Sequence, residues 1–155
     1  MLRILLQEIY EVQDCWYYNT TEYSSNSPTT LNISLPSTYT VDFDIKPTSR
    51  SSASSYVEIG TNTNNCLVIG QITSGGVSGI WVRTNNSYSS TNPVTSNTVL
   101  NDWNSVHFEF DGTTCTYTLN GETVTCSKPS YDLATLLRVY PQSNNHLKNI
   151  KVKAL

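Results

Sequence analysis

Between Cys115 and Cys126 the chain reads Cys-Thr-Tyr-Thr-Leu-Asn-Gly-Glu-Thr-Val-Thr-Cys. Asn-Gly between two alternating runs is a strong signal for a type I′ hairpin turn, because both central residues need φ > 0. A two-residue turn fixes the register. Leu119 falls opposite Glu122, Thr118 opposite Thr123, Tyr117 opposite Val124, Thr116 opposite Thr125 and Cys115 opposite Cys126. One face then carries Cys115, Tyr117, Leu119, Val124 and Cys126, and the other carries four threonines. The apolar face is expected to pack on a core and the threonine face to meet solvent.

The same period of two runs through the rest of the chain. Tyr39, Val41, Phe43 and Ile45 alternate with Thr40, Asp42 and Asp44, and Pro47 stops the pairing. Val57 and Ile59, Cys66–Gln71, Ile80 and Val82, Val106–Phe110, Leu137 and Val139, and Ile150–Ala154 give further strands. About ten strands follow one another with no helical stretch between them, which predicts an all-β, antiparallel sandwich or barrel. Composition agrees. Ser, Thr and Asn supply 57 of the 155 residues, and Ala is rare, which argues against a helical bundle. The length fits one domain.

Residues 1–13 are ambiguous. Leu2, Leu5, Ile9 and Val12 have helix-like spacing over too short a run to establish a coiled coil. They are read as a linker or a lead-in strand, and residues 14–155 as a single domain.

Several function classes are disfavoured. The formal net charge of −3, with charged residues at 14%, supplies no basic surplus for nucleic acid. No apolar run is long enough for a membrane-spanning helix, so no membrane insertion is expected. The N-terminal apolar run is too short for a secretory signal. Action outside a cell then runs through a larger assembly or a route without a cleaved signal. Cys15, Cys66, Cys115 and Cys126 are even in number. The register would suit a Cys115–Cys126 bridge, while burial on the apolar face favours free thiols. No Cys or Cys/His cluster has zinc spacing, and no metal or cofactor is expected. No nucleophile elbow, phosphate loop or zinc-protease motif occurs. Asp42 and Asp44 share one strand face, and His107 and Glu109 share another. Neighbouring strands would bring these carboxylates together, but a solvated sheet face is the simpler reading.

Binding chemistry is better supplied. Three Trp, ten Tyr and three Phe exceed the needs of this core. A sugar ring wants a flat aromatic under its C–H face and polar groups at its hydroxyl rim. Trp81, Arg83, Tyr88, His107 and Tyr140 are the candidate ligand-binding residues. Tyr56 is a further aromatic away from the apolar stripe, and Gln71 and Arg138 are further rim groups. Trp16, Phe43, Trp103, Phe108, Phe110, Tyr117 and Leu119 are the core candidates.

Trp103-Asn104-Ser105-Val106-His107-Phe108-Glu109-Phe110-Asp111-Gly112 resembles the W-x-x-V-x-F-x-F-D-G strand and turn of concanavalin A-like lectin/glucanase (laminin-G-like) jelly rolls. Thr116–Gly121 resembles that family's x-Y-x-L-N-G hairpin, Tyr39–Pro47 an early strand, and Leu147–Val152 the closing strand. The resemblance implies a jelly roll of two facing sheets, one concave. It also implies a module of the kind that binds glycans or mediates adhesion. Asp14–Tyr18, Asp44–Ser49 and the Lys-rich last strand look like modules of phage and prophage tail fibres. That points to a virion or extracellular surface structure. Its partners would be a surface glycan, other domains or chains of a fibre, and a second copy of the chain. The chain departs from the family in two ways. No acidic cluster matches the calcium-binding members. The glucanase Glu-x-Asp-x-x-Glu motif lacks its second Glu after Glu109-Phe110-Asp111, so Asp111-Gly112 reads as a turn. The expected function is a non-catalytic carbohydrate- or host-surface-binding module. A structural or oligomerising fibre module is the alternative, and a glycoside hydrolase the minor one.

Overall fold

Every stretch with period-two alternation forms a strand in the computed structural model, which describes residues 16–24, 27–48, 55–72, 77–95, 98–141 and 146–155. The Leu2, Leu5, Ile9 and Val12 stripe and Cys15 lie outside the described residues. Thirteen strands are described. They are β1 Tyr17–Asn19, β2 Thr29–Thr30, β3 Tyr39–Lys46, β4 Ser55–Asn62, β5 Asn65–Gln71, β6 Ser78–Thr84, β7 Ser87–Tyr88, β8 Val94–Thr95, β9 Asn104–Phe110, β10 Thr114–Leu119, β11 Glu122–Ser127, β12 Leu136–Pro141 and β13 His146–Ala154. No helix occurs among the described residues. All pairings are antiparallel. They build a six-stranded sheet, β1-β13-β3-β9-β10-β11, and a seven-stranded sheet, β2-β12-β4-β5-β6-β7 with β8 also on β6. The result is a jelly-roll sandwich.

The β10–β11 hairpin has the register set by its turn, from Leu119↔Glu122 to Cys115↔Cys126. Asn120 and Gly121 both adopt positive φ, at 48° and 85°. Asp111-Gly112 is a turn as well. The Asp111 carboxylate accepts hydrogen bonds from the Thr113 and Thr114 amides at 2.8 and 2.7 Å, which pulls its pKa down.

The core lies between the sheets. From the six-stranded sheet it takes Tyr39, Val41, Phe43, Ile45, Val106, Phe108, Tyr117, Leu119, Leu147, Ile150 and Val152. Opposite them stand Val57, Ile59, Leu67, Ile69, Ile80, Leu137 and Val139. Each fully buried aliphatic or aromatic side chain contributes about 1.5–3 kcal/mol relative to exposure. Polar atoms inside are paired across the core. Tyr117 Oη donates to Ser78 Oγ at 2.9 Å, linking β10 to β6, and Tyr39 Oη donates to the Leu133 carbonyl at 2.7 Å. In β13 a bulge between Lys148 and Lys151 holds Asn149 at φ 56°. The extra residue lets Leu147 and Ile150, three apart, both point inward.

Two expected core residues lie elsewhere. Trp16 is 56% exposed, and its indole N–H donates to the Ser34 carbonyl at 2.7 Å. Trp103 is half-buried at the rim, with Lys148 Nζ 3.9 Å and Lys46 Nζ 5.9 Å from its ring. A large ring with one polar edge is stable at a boundary, its face against apolar neighbours and its N–H toward a polar partner. Phe43, Phe108, Phe110, Tyr117 and Leu119 are buried. Cys66, Cys115 and Cys126 are free thiols. The Cys126 thiol and burial together push the Cys115 thiol up, so it stays protonated at neutral pH.

Candidate functional site

Alternation leaves one side of each strand in the seven-stranded sheet for its outer face, and that face is unusually closed. All of Ser55–Gly60 and Cys66–Gln71 are buried, on both sides of the sheet. Tyr56, Cys66, Val68 and Trp81 form a second apolar cluster there, joined by Ile72, Val77, Leu136 and Tyr140.

Register sets the site in three rows. The middle row runs Arg138, Glu58, Val68, Trp81 across β12, β4, β5 and β6. On one side of it stand Tyr140, Tyr56, Gly70 and Gly79. On the other are Leu136, Gly60, Cys66, Arg83 and, on β7, Tyr88. Gly70 and Gly79 put no side chain beside Tyr56 and Trp81. Neither position admits one. A Cβ would come 2.5 Å from the Ser55 carbonyl at Gly70, whose φ is +133°, and 2.2 Å from the Pro93 carbonyl at Gly79.

Glu58 is the electrostatic centre. It is fully buried, and each carboxylate oxygen takes a different arginine. Arg83 Nη1 donates to Oε1 at 3.0 Å, and Arg138 Nε donates to Oε2. Arg83 Nη1 also donates to the Thr63 carbonyl at 2.8 Å, and Nη2 to Tyr88 Oη. The Arg83 guanidinium lies 4.9 Å from the Tyr88 ring centroid. Tyr131 Oη donates to the Arg83 carbonyl at 2.8 Å, which pins the backbone. Burial works against charge on both arginines. The Tyr88 hydrogen bond on Arg83 and the Glu58 hydrogen bond on Arg138 outweigh it, so both sit above the ordinary arginine range. Burial, with Glu58 nearby, pushes the Cys66 thiol up to about 11 and the Tyr56 phenol higher still. Cys66 and Tyr56 are therefore neutral at pH 7.

The aromatics stand at different depths. Trp81 and Tyr56 are 8% and 7% exposed, while Tyr88 is 46% exposed. Tyr140 is half-buried and meets Tyr56 edge to face, with centroids 5.2 Å apart. A ligand arriving at this face meets Tyr88, Tyr140 and Arg138 first, above a floor of Trp81, Tyr56 and Val68.

Of the five residues singled out in the sequence, Trp81, Arg83, Tyr88 and Tyr140 share this face. His107 does not. It lies on β9, on the outer face of the other sheet, where its Nδ1 is 2.7 Å from Asp42 and its Nε2 is 3.8 Å from Glu109. β3 and β9 are neighbours, so the carboxylates of Asp42 and Glu109 do share a face. Their side chains are 39% and 41% exposed, on an open sheet surface. No group of three metal-ligating side chains occurs among the described residues. Sequence reasoning missed Glu58. Its signal was an acid between Val57 and Ile59 in a strand otherwise free of charge.

No family model and no curated protein matches the sequence. Solved structures do match the fold. Galectin LEC-6 of Caenorhabditis elegans superposes with a TM-score of 0.65 at 12% identity, over 85% of this chain and 95% of that one. The CBM40 of the Ruminococcus gnavus IT-sialidase, bound to α2,3-sialyllactose, gives 0.63 at 16%, over 91% and 94%. Congerin II liganded with lactose and MES gives 0.57 at 17%, over 87% and 100%. The chain shares the concanavalin A-like jelly-roll fold of these lectins.

Proposed function

We propose that this chain is a non-catalytic carbohydrate-binding module that holds a glycan on the outer face of its seven-stranded sheet. The carrying observation is the junction of aromatic rings with the Arg83–Glu58–Arg138 cluster on one face. Rings offer a sugar its C–H contact, and a fixed guanidinium offers donors to its oxygens. Two fold neighbours solved with sugars, the sialidase CBM40 with sialyllactose and congerin II with lactose, support the reading. The incomplete glucanase motif supports a binding role over hydrolysis. The setting we propose is a fibre or adhesin of a phage or prophage, at the virion or another extracellular surface, beside other fibre domains or chains. It rests on the likeness of Asp14–Tyr18, Asp44–Ser49 and the Lys-rich last strand to tail-fibre modules.

A glycan array with the purified chain, with and without calcium, tests the function. Binding is expected, and Tyr88→Ala and Tyr140→Ala should weaken it about tenfold with the fold intact. Trp81→Ala should abolish it, with circular dichroism reporting whether the sandwich survives. Absence of any hit at millimolar sensitivity overturns the reading.

A further inference from the structure

We infer that the glycan bound by this face carries a carboxylate, and that the outer edge of the Arg138 guanidinium receives it. The inference rests on the binding reading above and adds the ligand's charge.

On the outer face of the seven-stranded sheet, Glu58 is the one acid among the described residues, against Arg83 and Arg138. One positive charge is left over, and burial keeps Tyr56 and Cys66 neutral at pH 7.

Arg83 is engaged at both Nη atoms, through Glu58, Thr63 and Tyr88. Arg138 is engaged only at Nε, by Glu58. Its Nη1 and Nη2 have no hydrogen-bond acceptor among the described residues. Its side chain is 20% exposed, so those N–H groups are reachable. Glu58 divides its two oxygens between two arginines instead of chelating one. That anchors the Arg138 fork at its inner end and leaves the outer end open.

The paired Nη N–H groups match the two oxygens of a carboxylate. Thr30 is opposite Arg138 on β2, and Tyr140 is two residues along β12. A hydroxyl and a half-exposed ring therefore flank the fork, as a carboxylated sugar needs for its neighbouring oxygens and its C–H face. A neutral sugar would leave the spare charge facing only water.

The acid could be a terminal nonulosonic acid or a uronic acid within a polysaccharide. The chemistry is shared, and the test separates them. Calorimetry would compare the intact chain with 3′-sialyllactose, its methyl ester, a galacturonic acid trimer, its methyl ester, and lactose. At least one acid should bind about tenfold or more tighter than its own ester and than lactose. That gain should shrink in 1 M salt. Arg138→Gln should remove it, Arg138→Lys should restore it in part, and thermal melting should report the fold of each variant. The ester arm needs no variant, so it stands even if Arg138→Gln unfolds. Equal binding of acid, ester and lactose overturns this inference and leaves the binding reading standing. Binding of none of the five probes, in a chain that does bind uncharged glycans on the array, overturns it as well. No binding in either experiment overturns both.

Discussion

The two sheets share one core and turn opposite characters outward. The six-stranded sheet shows solvent a polar weave. Thr114, Thr116, Thr118, Thr123 and Thr125 cover the hairpin, and Lys151 stands opposite Asp42, which in turn stands opposite His107. The His107–Asp42 contact is two-fifths exposed on both sides. The seven-stranded sheet buries its single acid completely and clamps it between two arginines under aromatic rings. Exposed pairs contribute little, because water and mobile side chains compete with them. A buried pair is different, since losing one partner strands a charge that burial has already stripped of water.

Matched truncations put that contrast to the test. Glu58→Ala strands two guanidiniums against an apolar cluster, and denaturant melts should show a loss of about 3–5 kcal/mol. A loss below about 1 kcal/mol would erase the distinction between the faces. Gly121→Val touches neither outer face, since a Cβ there meets nothing within 4 Å. Its cost comes only from the φ of 85°, and about 1–3 kcal/mol is expected. Wild-type stability would mean that the hairpin register is wrong. Asp42→Ala, the same truncation as at Glu58 but made on the open sheet, should cost no more than about 1 kcal/mol by the same melts. A larger cost would mean that the His107 pair is structural.

The fold was legible where alternation is local. β3, β9, β10 and β11 carry one apolar and one polar side, and the two-residue turn fixes the β10–β11 pairing without any distant contact. The short strands β1, β2, β7 and β8 are two or three residues long, too few to show a period. In β4 and β5 both faces are buried, so a polar side could not be picked out by exposure. The site was half legible for a related reason. Trp81, Arg83, Tyr88 and Tyr140 stood out as residue types off the apolar stripe. What joins them is Glu58, whose partner Arg138 is 80 residues away and meets it only because β12 folds beside β4. His107 looked similar by type, but its strand belongs to the other sheet.

The pairing of the first described strand with the last has a mechanical consequence. Tyr17 faces Val152, and Asn19 faces Ile150, so the two chain ends leave β1 and β13 side by side and at the same end. Tension that draws those ends apart pulls across the strands, along the direction of their hydrogen bonds. The bonds then load one after another, like a zip, starting with the Trp16 amide on the Val152 carbonyl at 2.8 Å. A three-residue strand peels off early under such a pull. The Tyr23–Leu147 bridge and the β3–β13 seam, paired along most of its length around a bulge, come under load next.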